Sequence, residues 1–280
     1  MKIFDRKKVV FLTKHGKEAV VKPLFEDQTG CHVIVNREFD TDRFGTFSRE
    51  RKRRRTQLKT ARMKIKMGLK RSNADLGIAS EGSFGPHPQL LVPWNVEMVL
   101  FYDPKDKYEI FGIYEGPLTN FSHRITSEYE EIIEFATKVG FPEHHLIMRP
   151  DHEKHKFIIK DIDDFFKLKA AYERCMKRSV MSKVYVETDM RAHANPTRMR
   201  NIEKATQDLV DKLMKLCPVC NAPGFTAIQE VKGLPCSRCG TPSEFTEKIV
   251  YECHKCGHNE EHFYPYGRFV PAEYCHVCNP

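Results

Sequence analysis

The sequence has no long hydrophobic run and few cysteines outside its last quarter. No apolar segment approaches the roughly 20 residues of a membrane span, and Val9–Leu12 is too short for a signal peptide. We therefore expect a cytoplasmic protein. Of ten cysteines, only Cys31 and Cys175 lie before residue 217. Because both fall within strand-like or helix-like patterns, we expect core residues and no disulfide framework.

Positive charge is concentrated in one segment. The chain has 46 Lys and Arg against 38 Asp and Glu, whereas residues 217–280 carry a net charge of −2. Segment Arg49–Arg71 holds twelve basic residues and one acidic residue, with helical spacing of its apolar residues over 51–69. It is either a solvated helix face or a surface for polyphosphate or nucleic acid. Six basic residues between Arg49 and Arg55 favour the second interpretation.

The strongest signal is a set of four CxxC pairs. Their spacing is typical of metal ligands in a reducing compartment, and eight thiolates fit two tetrahedral zinc sites. The pairs are Cys217 with Cys220, Cys236 with Cys239, Cys253 with Cys256, and Cys275 with Cys278. An iron–sulfur cluster is the alternative.

Hairpin-length segments separate the pairs and predict a tandem zinc-ribbon module over residues 217–280. We expect sequential pairing, in which the first pair joins the second and the third joins the fourth, with nested and crossed pairing as alternatives. With no open coordination position, both zinc ions would be structural. The module is acidic, which favours a scaffold, lid or protein-docking role over phosphate binding.

Residues 1–216 mix strand and helix patterns and predict an α/β or α+β domain with a mixed sheet, which would bind a ligand or carry out catalysis. Apolar runs at 97–103 and 108–114 flank a turn and indicate a hairpin. Ser127 and Glu130 have the spacing of a capping box at the start of a helix.

Polar residues follow a buried strand predicted at Val184–Val186. The chain then turns into a helix, with Asn195 as N-cap and Pro196 at its first position. Such loops, beside a helix N-terminus, are where α/β proteins place ligands. The carboxylates of Glu187 and Asp189 are candidate metal ligands. Candidates for binding phosphate or carboxylate are Arg191, His193 and Arg198. The alternative is a capped helix with an ion-paired loop.

Two other loops contribute candidates. The first predicted strand ends in a turn whose amides, His15 and Lys17 would face a phosphate, although an ordinary turn explains the pattern too. Asp40 and Asp42 are candidate Mg²⁺ ligands or turn formers.

The strand predicted at Asp75–Ser80 runs into a loop predicted over residues 81–88. That loop has two glycines and two prolines, which favour a shaped turn. Glu81, at the predicted strand end, is the leading catalytic candidate, and His87 is second.

Several motifs together identify the chain as a member of an uncharacterised bacterial family. They are HGKE, FDTDRFGTF, SEGSFGPHP, ETDMRAHANPTRM and the four terminal CxxC pairs. This resemblance covers almost the whole chain and implies no activity.

The order of predicted strands, helices and motifs in the N-terminal domain also resembles that of the house-cleaning nucleoside triphosphate pyrophosphatases of the inosine/xanthosine triphosphatase type. Those enzymes open with a strand, a polar turn and a helix, and Thr13–Lys17 resembles that turn. Their next helix carries a metal-binding Glu, where this chain has Gln57. The strand and acidic loop that follow are matched by Asp75–Gly82, and their late basic loop by Met190–Arg198.

This second resemblance implies a hydrolase that acts on nucleotides or phosphate esters. In that hypothesis Glu81, with Asp189 or Asp42, would hold Mg²⁺, which activates water. The polyphosphate would be bound by Lys17, Arg191 and Arg198. The alternatives are a non-catalytic protein that binds nucleic acid through Arg49–Arg71 and a zinc-stabilised interaction protein.

Overall fold

A computed structural model describes residues 2–280. The chain forms two compact units, the first extending to Val210 and the second running from Asp211 to Pro280. The division falls inside the last long helix, before the boundary at residue 217 that the cysteine positions predict. Within residues 2–280, no helix is long and apolar enough to cross a membrane.

The first unit holds nine strands and four helices, and a fifth helix continues past its end. In chain order they are β1 (Lys8–Leu12), α1 (Glu18–Thr29), β2 (His32–Asn36), α2 (Gln57–Lys70), β3 (Leu76–Pro86), β4 (Pro93–Asp103), β5 (Tyr108–Gly116), β6 (His123–Thr126), α3 (Tyr129–Lys138), β7 (Leu146–Pro150), β8 (Ile159–Ile162), α4 (Phe165–Met176), β9 (Val184–Thr188) and α5 (Pro196–Met214).

The larger sheet has the strand order β2-β1-β3-β4-β5. Strand β1 is parallel to β2 and β3, whereas β3, β4 and β5 are antiparallel. From β1 the chain crosses through α1 to one neighbour, and then through α2 to the other. Connections that diverge in this way leave a crevice outside the carboxyl end of the central strand.

Helices cover both faces of this sheet. Helix α2 buries Ala61 and Ile65 against Ala79 and Leu100. On the opposite face, Phe25 of α1 lies against Phe101. Helix α5 packs on that face too, because Gly112 of β5 allows the helix backbone to approach closely. The unit is therefore built around an α/β/α sandwich.

The smaller sheet has the order β6-β9-β7-β8 and is antiparallel throughout. Helices α3 and α4 bury one face, with Ile132, Leu168, Met148 and Val186 in its core. The buried strand predicted at Val184–Val186 is β9. Its neighbours are antiparallel, so the placement rule for parallel strands does not apply to the loop that follows it.

Three local predictions are wrong. The loop predicted over 81–88 is largely strand, because β3 continues to Pro86 in register with Pro93 of β4. The capping box is not formed: Glu128 is the N-cap of α3 and makes no side-chain cap, while Ser127 Oγ donates to Glu128. The basic helix begins only at Gln57, so residues 49–56 form an arm before it.

The second unit is built on a three-stranded antiparallel sheet, β10 (Thr226–Lys232), β11 (Thr246–Glu252) and β12 (Asn259–Phe263). The start of β10 pairs with the end of β11, with Thr226 opposite Glu252. One cysteine pair precedes β10 and another follows β11. The hairpin therefore brings these two pairs to the same end of the sheet.

We predict that Gly112→Ala destabilises the protein by about 1–3 kcal/mol, the usual cost of overpacking a core. The added Cβ would lie 2.1 Å from the Ala205 carbonyl oxygen and 2.3 Å from the Leu209 amide nitrogen. Backbone atoms cannot yield as a flexible side chain does. Urea unfolding of the parent and the variant measures the difference.

The matched control is Gly85→Ala on β3, where an added Cβ meets nothing within 4 Å. Its unfolding free energy should stay within about 0.5 kcal/mol of the parent. Equal stability of the Gly112→Ala variant and the parent would contradict the close packing of α5.

Candidate functional site

A pocket opens at the carboxyl ends of β1 and β3, at the crevice left by the diverging connections. Seven lysine or arginine side chains line it, against three carboxylates. The lining residues that carry or can carry charge are Lys14, His15, Lys17, Asp42, Glu50, Arg53, Lys64, Glu81, Lys160, Arg191 and Arg198. The excess of cations suits an anionic ligand.

Lys17 lies at the floor of this pocket. Its Nζ donates to the carbonyl oxygen of Ser80 at 2.9 Å and lies 3.2 Å from Ser80 Oγ. Burial, with the neighbouring charges of Arg198 and Lys64, lowers the Lys17 pKa to about 7. Lys17 is therefore a cation that can release a proton near neutral pH, and an anion beside it would favour the charged form.

Glu81 is held by cations. Lys64 Nζ lies 2.5 Å from its Oε1, without hydrogen-bond geometry, and Arg53 Nη2 lies 3.3 Å from its Oε2. Burial opposes ionisation of Glu81, but the charges of Lys64, Lys17 and Arg53 outweigh it and lower the pKa. Glu81 is thus an ionised carboxylate and a weak base.

Arg198 is buried in an ion pair that the sequence patterns did not indicate. Its Nε donates to Glu97 Oε1 at 2.8 Å, and both side chains are at most 2% exposed. Asn95 Nδ2 donates to the same carboxylate oxygen at 3.2 Å. A Cβ on Gly82, the register partner of Glu97, would lie 2.5 Å from its carboxylate. In the sequence, this ion pair could have been suspected from Glu97, a single glutamate within an otherwise apolar strand.

His15 and Asp42 form a second polar pair at the pocket. His15 Nε2 lies 3.0 Å from Asp42 Oδ1, and Lys14 Nζ donates to Asp42 Oδ2 at 2.7 Å. The His15 contact and Lys14 lower the Asp42 pKa despite partial burial. Because an ionised carboxylate only accepts, Nε2 of His15 carries the hydrogen and Nδ1 keeps its lone pair. Burial lowers the His15 pKa despite Asp42, so the ring is neutral at neutral pH.

Two buried polar atoms of the pocket make no hydrogen bond among residues 2–280: Glu81 Oε1, which has the charged Lys64 Nζ beside it, and Thr13 Oγ1. The Thr13 side chain is 3% exposed, and its Oγ1 makes no hydrogen bond. Buried hydroxyl groups are nearly always satisfied, because leaving one unpaired costs about 1–3 kcal/mol. Thr13 therefore marks a place where a bound group would supply the missing hydrogen bond.

The pocket brings together most of the side chains predicted from separate motifs, but not all of them. Lys17, Glu81, Arg191 and Arg198 converge there, as do His15 and Asp42. Asp189 is fully buried and is held by the Arg191 side chain, with 3.0 Å from Arg191 Nε to each of its carboxylate oxygens. His193 stacks on His15 at 5.4 Å and does not line the pocket.

The carboxylates do not form a magnesium site by themselves. Glu81, Asp42 and Asp189 are each paired with lysine or arginine, and they are not clustered. Among residues 2–280, the only groups of three or more possible metal ligands are two sets of cysteines. Gln57, which takes the place of the metal-binding Glu, donates to the carbonyl oxygen of Val96, and α2 contributes Thr60 and Lys64 to the pocket but no carboxylate.

The arm before α2 turns part of its positive charge inward. Arg49 Nη1 lies 2.5 Å from Glu187 Oε2, and Arg149 pairs with the other oxygen of Glu187 at 2.6 Å. Glu187, a predicted metal ligand, is therefore part of an ion-pair chain that is buried at Glu187 and Arg149 and partly exposed at Arg49. Together with Arg53, which pairs with Glu81, this leaves a smaller basic surface than the sequence implies.

The eight CxxC cysteines form two tetrads. The first is Cys217, Cys220, Cys253 and Cys256, and the second is Cys236, Cys239, Cys275 and Cys278. Two Sγ–Sγ contacts across the pairs measure 3.5 and 3.7 Å in the first tetrad, two measure 3.7 and 3.9 Å in the second, and all four sulfur atoms of each tetrad lie within 4.8 Å of one another. A tetrahedral zinc with Zn–S bonds of about 2.3 Å requires sulfur separations of about 3.8 Å. Each tetrad could therefore hold an ion such as zinc.

The expectation of sequential pairing is wrong, because the first pair joins the third and the second joins the fourth. The β10–β11 hairpin is the physical reason. It places the knuckle at Cys217 beside the knuckle at Cys253, while Cys236 lies after the far end of β10. The two sites are thus interleaved along the chain.

Fold and sites together define a two-unit α/β protein with a cationic pocket in one unit and paired cysteine tetrads in the other. The chain belongs to the DUF6671 family, described as a domain of unknown function, which matches residues 64–280. This agrees with the prediction of an uncharacterised family. No curated protein and no solved structure shows significant similarity to the chain, so the resemblance to pyrophosphatases gains no support.

The crossed pairing predicts the zinc content of two four-serine variants of the full chain. Serine at the four positions of the first tetrad should leave one zinc per chain, because the second tetrad stays intact. Serine at Cys217, Cys220, Cys236 and Cys239 should leave none, since each tetrad then loses half its ligands. Elemental analysis by mass spectrometry measures the zinc.

The reverse result would establish sequential pairing. Loss of all zinc in both variants would indicate nested pairing or loss of folding. Circular dichroism of each variant separates those two outcomes.

Proposed function

We propose that the cationic pocket binds the phosphate groups of a phosphorylated small molecule and that the protein hydrolyses it. The observation that carries this proposal is the unpaired Thr13 hydroxyl in a pocket with seven cationic side chains and three carboxylates.

The buried cations have different roles in this proposal. Arg198 is fixed by Glu97, so it presents a rigid charge to the ligand. Lys64 and Lys17 lie near Glu81, which neutralises only part of their charge. Fixed, buried charges stabilise the negative charge that develops on phosphoryl oxygens during transfer.

We propose His15, oriented by Asp42, as the proton acceptor. Water attacks the terminal phosphorus, the bond from phosphorus to the leaving oxygen breaks with its electron pair on that oxygen, and Nδ1 of His15 takes the water proton. Two observations support His15 over Glu81. The His15 ring is neutral with one free nitrogen, whereas Glu81 is held by Lys64 and has a lowered pKa.

Magnesium and the nucleoside triphosphate pyrophosphatase activity stay predictions. Magnesium usually binds through one or two carboxylates together with substrate phosphates. To bind Mg²⁺ in this pocket, Asp42 or Glu81 would have to give up a contact with a lysine or arginine side chain. The assay below is therefore run with and without added Mg²⁺.

We predict that His15→Asn lowers kcat by about 10²- to 10⁴-fold, the usual contribution of general base catalysis. Phosphate and pyrophosphate release are measured from tripolyphosphate and from standard and deaminated nucleoside triphosphates. Asparagine cannot accept the proton, and it leaves the cations of the pocket in place, so binding should change little. Glu81→Gln tests the competing assignment in the same assay.

The control is His32→Asn on β2, a histidine whose side chain is 66% exposed. It should turn over like the parent. A His15→Asn variant with full turnover would refute the role of His15. Absence of release from every substrate would refute hydrolysis.

We also predict that anion affinity falls as the pH rises above 7. Lys17 in the free protein loses its proton near pH 7, whereas a bound phosphate group raises its pKa. Binding therefore takes up a proton above pH 7, and the Kd for ATP should rise by up to about tenfold per pH unit. Calorimetry between pH 7 and 9 measures this.

The Lys17→Met variant is the reference for this titration. ATP ionises in the same way in the measurements on the parent and on the variant, so a difference between their pH profiles comes from Lys17. That variant should bind more weakly and without the added pH dependence. A parallel pH profile in the two proteins would show that Lys17 does not contact the anion.

Nucleic-acid binding through Arg49–Arg71 is the alternative proposal. Lys52, Arg54 and Arg55 are exposed and support it, but Arg49, Arg53 and Lys64 are committed to carboxylates. The second unit has exposed aromatic side chains, including Tyr266 at 74%, which support a role in protein interaction.

A further inference from the structure

A second cleft adjoins the cationic pocket. It has an open volume of about 610 Å³ and shares Thr46, Phe47 and Arg53 with the pocket. Sites for small organic ligands commonly have volumes of about 300–1,000 Å³. The two spaces are therefore adjacent, and their shared residues form a common rim between them.

Aromatic rings form the cleft wall. Phe47, Phe84 and Phe121 all line it. Phe84 and Phe121 are stacked with their centroids 6.1 Å apart, and Phe47 meets Phe84 edge-on at 5.2 Å. All three rings are partly exposed. They offer flat π surface to a ligand.

Cations hold these rings in place from the pocket side. The Arg53 guanidinium lies 4.4 Å from the Phe47 centroid. The Arg198 guanidinium lies 4.5 Å from the Phe47 centroid and 5.2 Å from that of Phe84. Because Arg198 is itself fixed by Glu97, the wall between the two spaces is rigid. The phosphate-binding and aromatic surfaces therefore have a fixed spacing.

The rest of the cleft excludes a purely apolar ligand. Ile147 and Met190 add apolar surface, but five lysine or arginine side chains surround it, and Ser83, Glu187 and Thr188 add polar atoms. A flat heteroaromatic ring suits both the aromatic wall and the polar surroundings of the cleft. Its faces stack on phenylalanine, and its edge accepts and donates hydrogen bonds.

We propose that this cleft is the base subsite of a nucleotide whose phosphates occupy the cationic pocket. The inference rests on the proposed function, because it needs the phosphate group to be bound in that pocket. It narrows the substrate class from any phosphate ester to a mononucleotide, with Phe84 and Phe121 stacking on the base.

Calorimetry of the full chain with tripolyphosphate and with ATP tests this assignment. ATP should bind about 5- to 100-fold more tightly than tripolyphosphate, the range that stacking on aromatic side chains supplies. Phe121→Leu should bring this affinity ratio towards one. Phe84→Leu should do the same, and it serves as a second variant if the first fails to fold.

Phe166→Leu is the matched control, because Phe166 of α4 is 89% exposed and lies outside both spaces. It should keep the parent ratio. Equal affinity of the parent for tripolyphosphate and ATP would overturn the base subsite and leave the proposed function in place. Failure of both to bind would overturn both. Tighter binding of a 5′-phosphorylated single-stranded oligonucleotide than of ATP would overturn the mononucleotide assignment in favour of nucleic acid.

Discussion

The buried ion pair of Arg198 and Glu97 is the constraint on which the site depends. Removing two charges from water is costly, and removing one partner of such a pair costs about 3–5 kcal/mol. The pair is tolerated because Asn95 donates to the carboxylate and Gly82 leaves room for it. Once fixed, Arg198 presents its charge to the pocket and supports the phenylalanines of the neighbouring cleft.

Around that pair the unit concentrates buried positive charge. Lys17, Lys64 and Arg53 surround Glu81, and their combined charge exceeds that of the carboxylates they contact. An uncompensated excess of buried cations is unfavourable without a ligand, and the lowered pKa of Lys17 shows how the protein relieves it. Binding an anion would restore the balance, which connects the electrostatics of the pocket to its proposed use.

The segment over residues 46–53, which overlaps the arm, joins the two sheets of the first unit at this pocket. Arg49 pairs with Glu187 of the smaller sheet, while Arg53 pairs with Glu81 of the larger one. The same segment supplies Phe47 to both spaces. A basic stretch that resembles a solvated surface in the sequence therefore serves partly as an internal connection.

Spacing alone determined a good deal of this protein. The CxxC pairs predicted the eight cysteines that form two tetrads able to hold a metal ion. Apolar periodicity predicted β1, α1, the β4–β5 hairpin and the helix that Asn195 caps through a 2.9 Å bond from the Arg198 amide. These features depend on neighbours within a few residues, where chain geometry is fixed.

Contacts between residues far apart in the chain were decided by tertiary structure. They are the pairing of the cysteine pairs into tetrads by the β10–β11 hairpin, the continuation of β3 by its register with β4, and the pairing of Arg198 with Glu97 across 101 residues. Charge that is buried and paired looks the same in a sequence as charge that is solvated, because only the packing of distant segments distinguishes them.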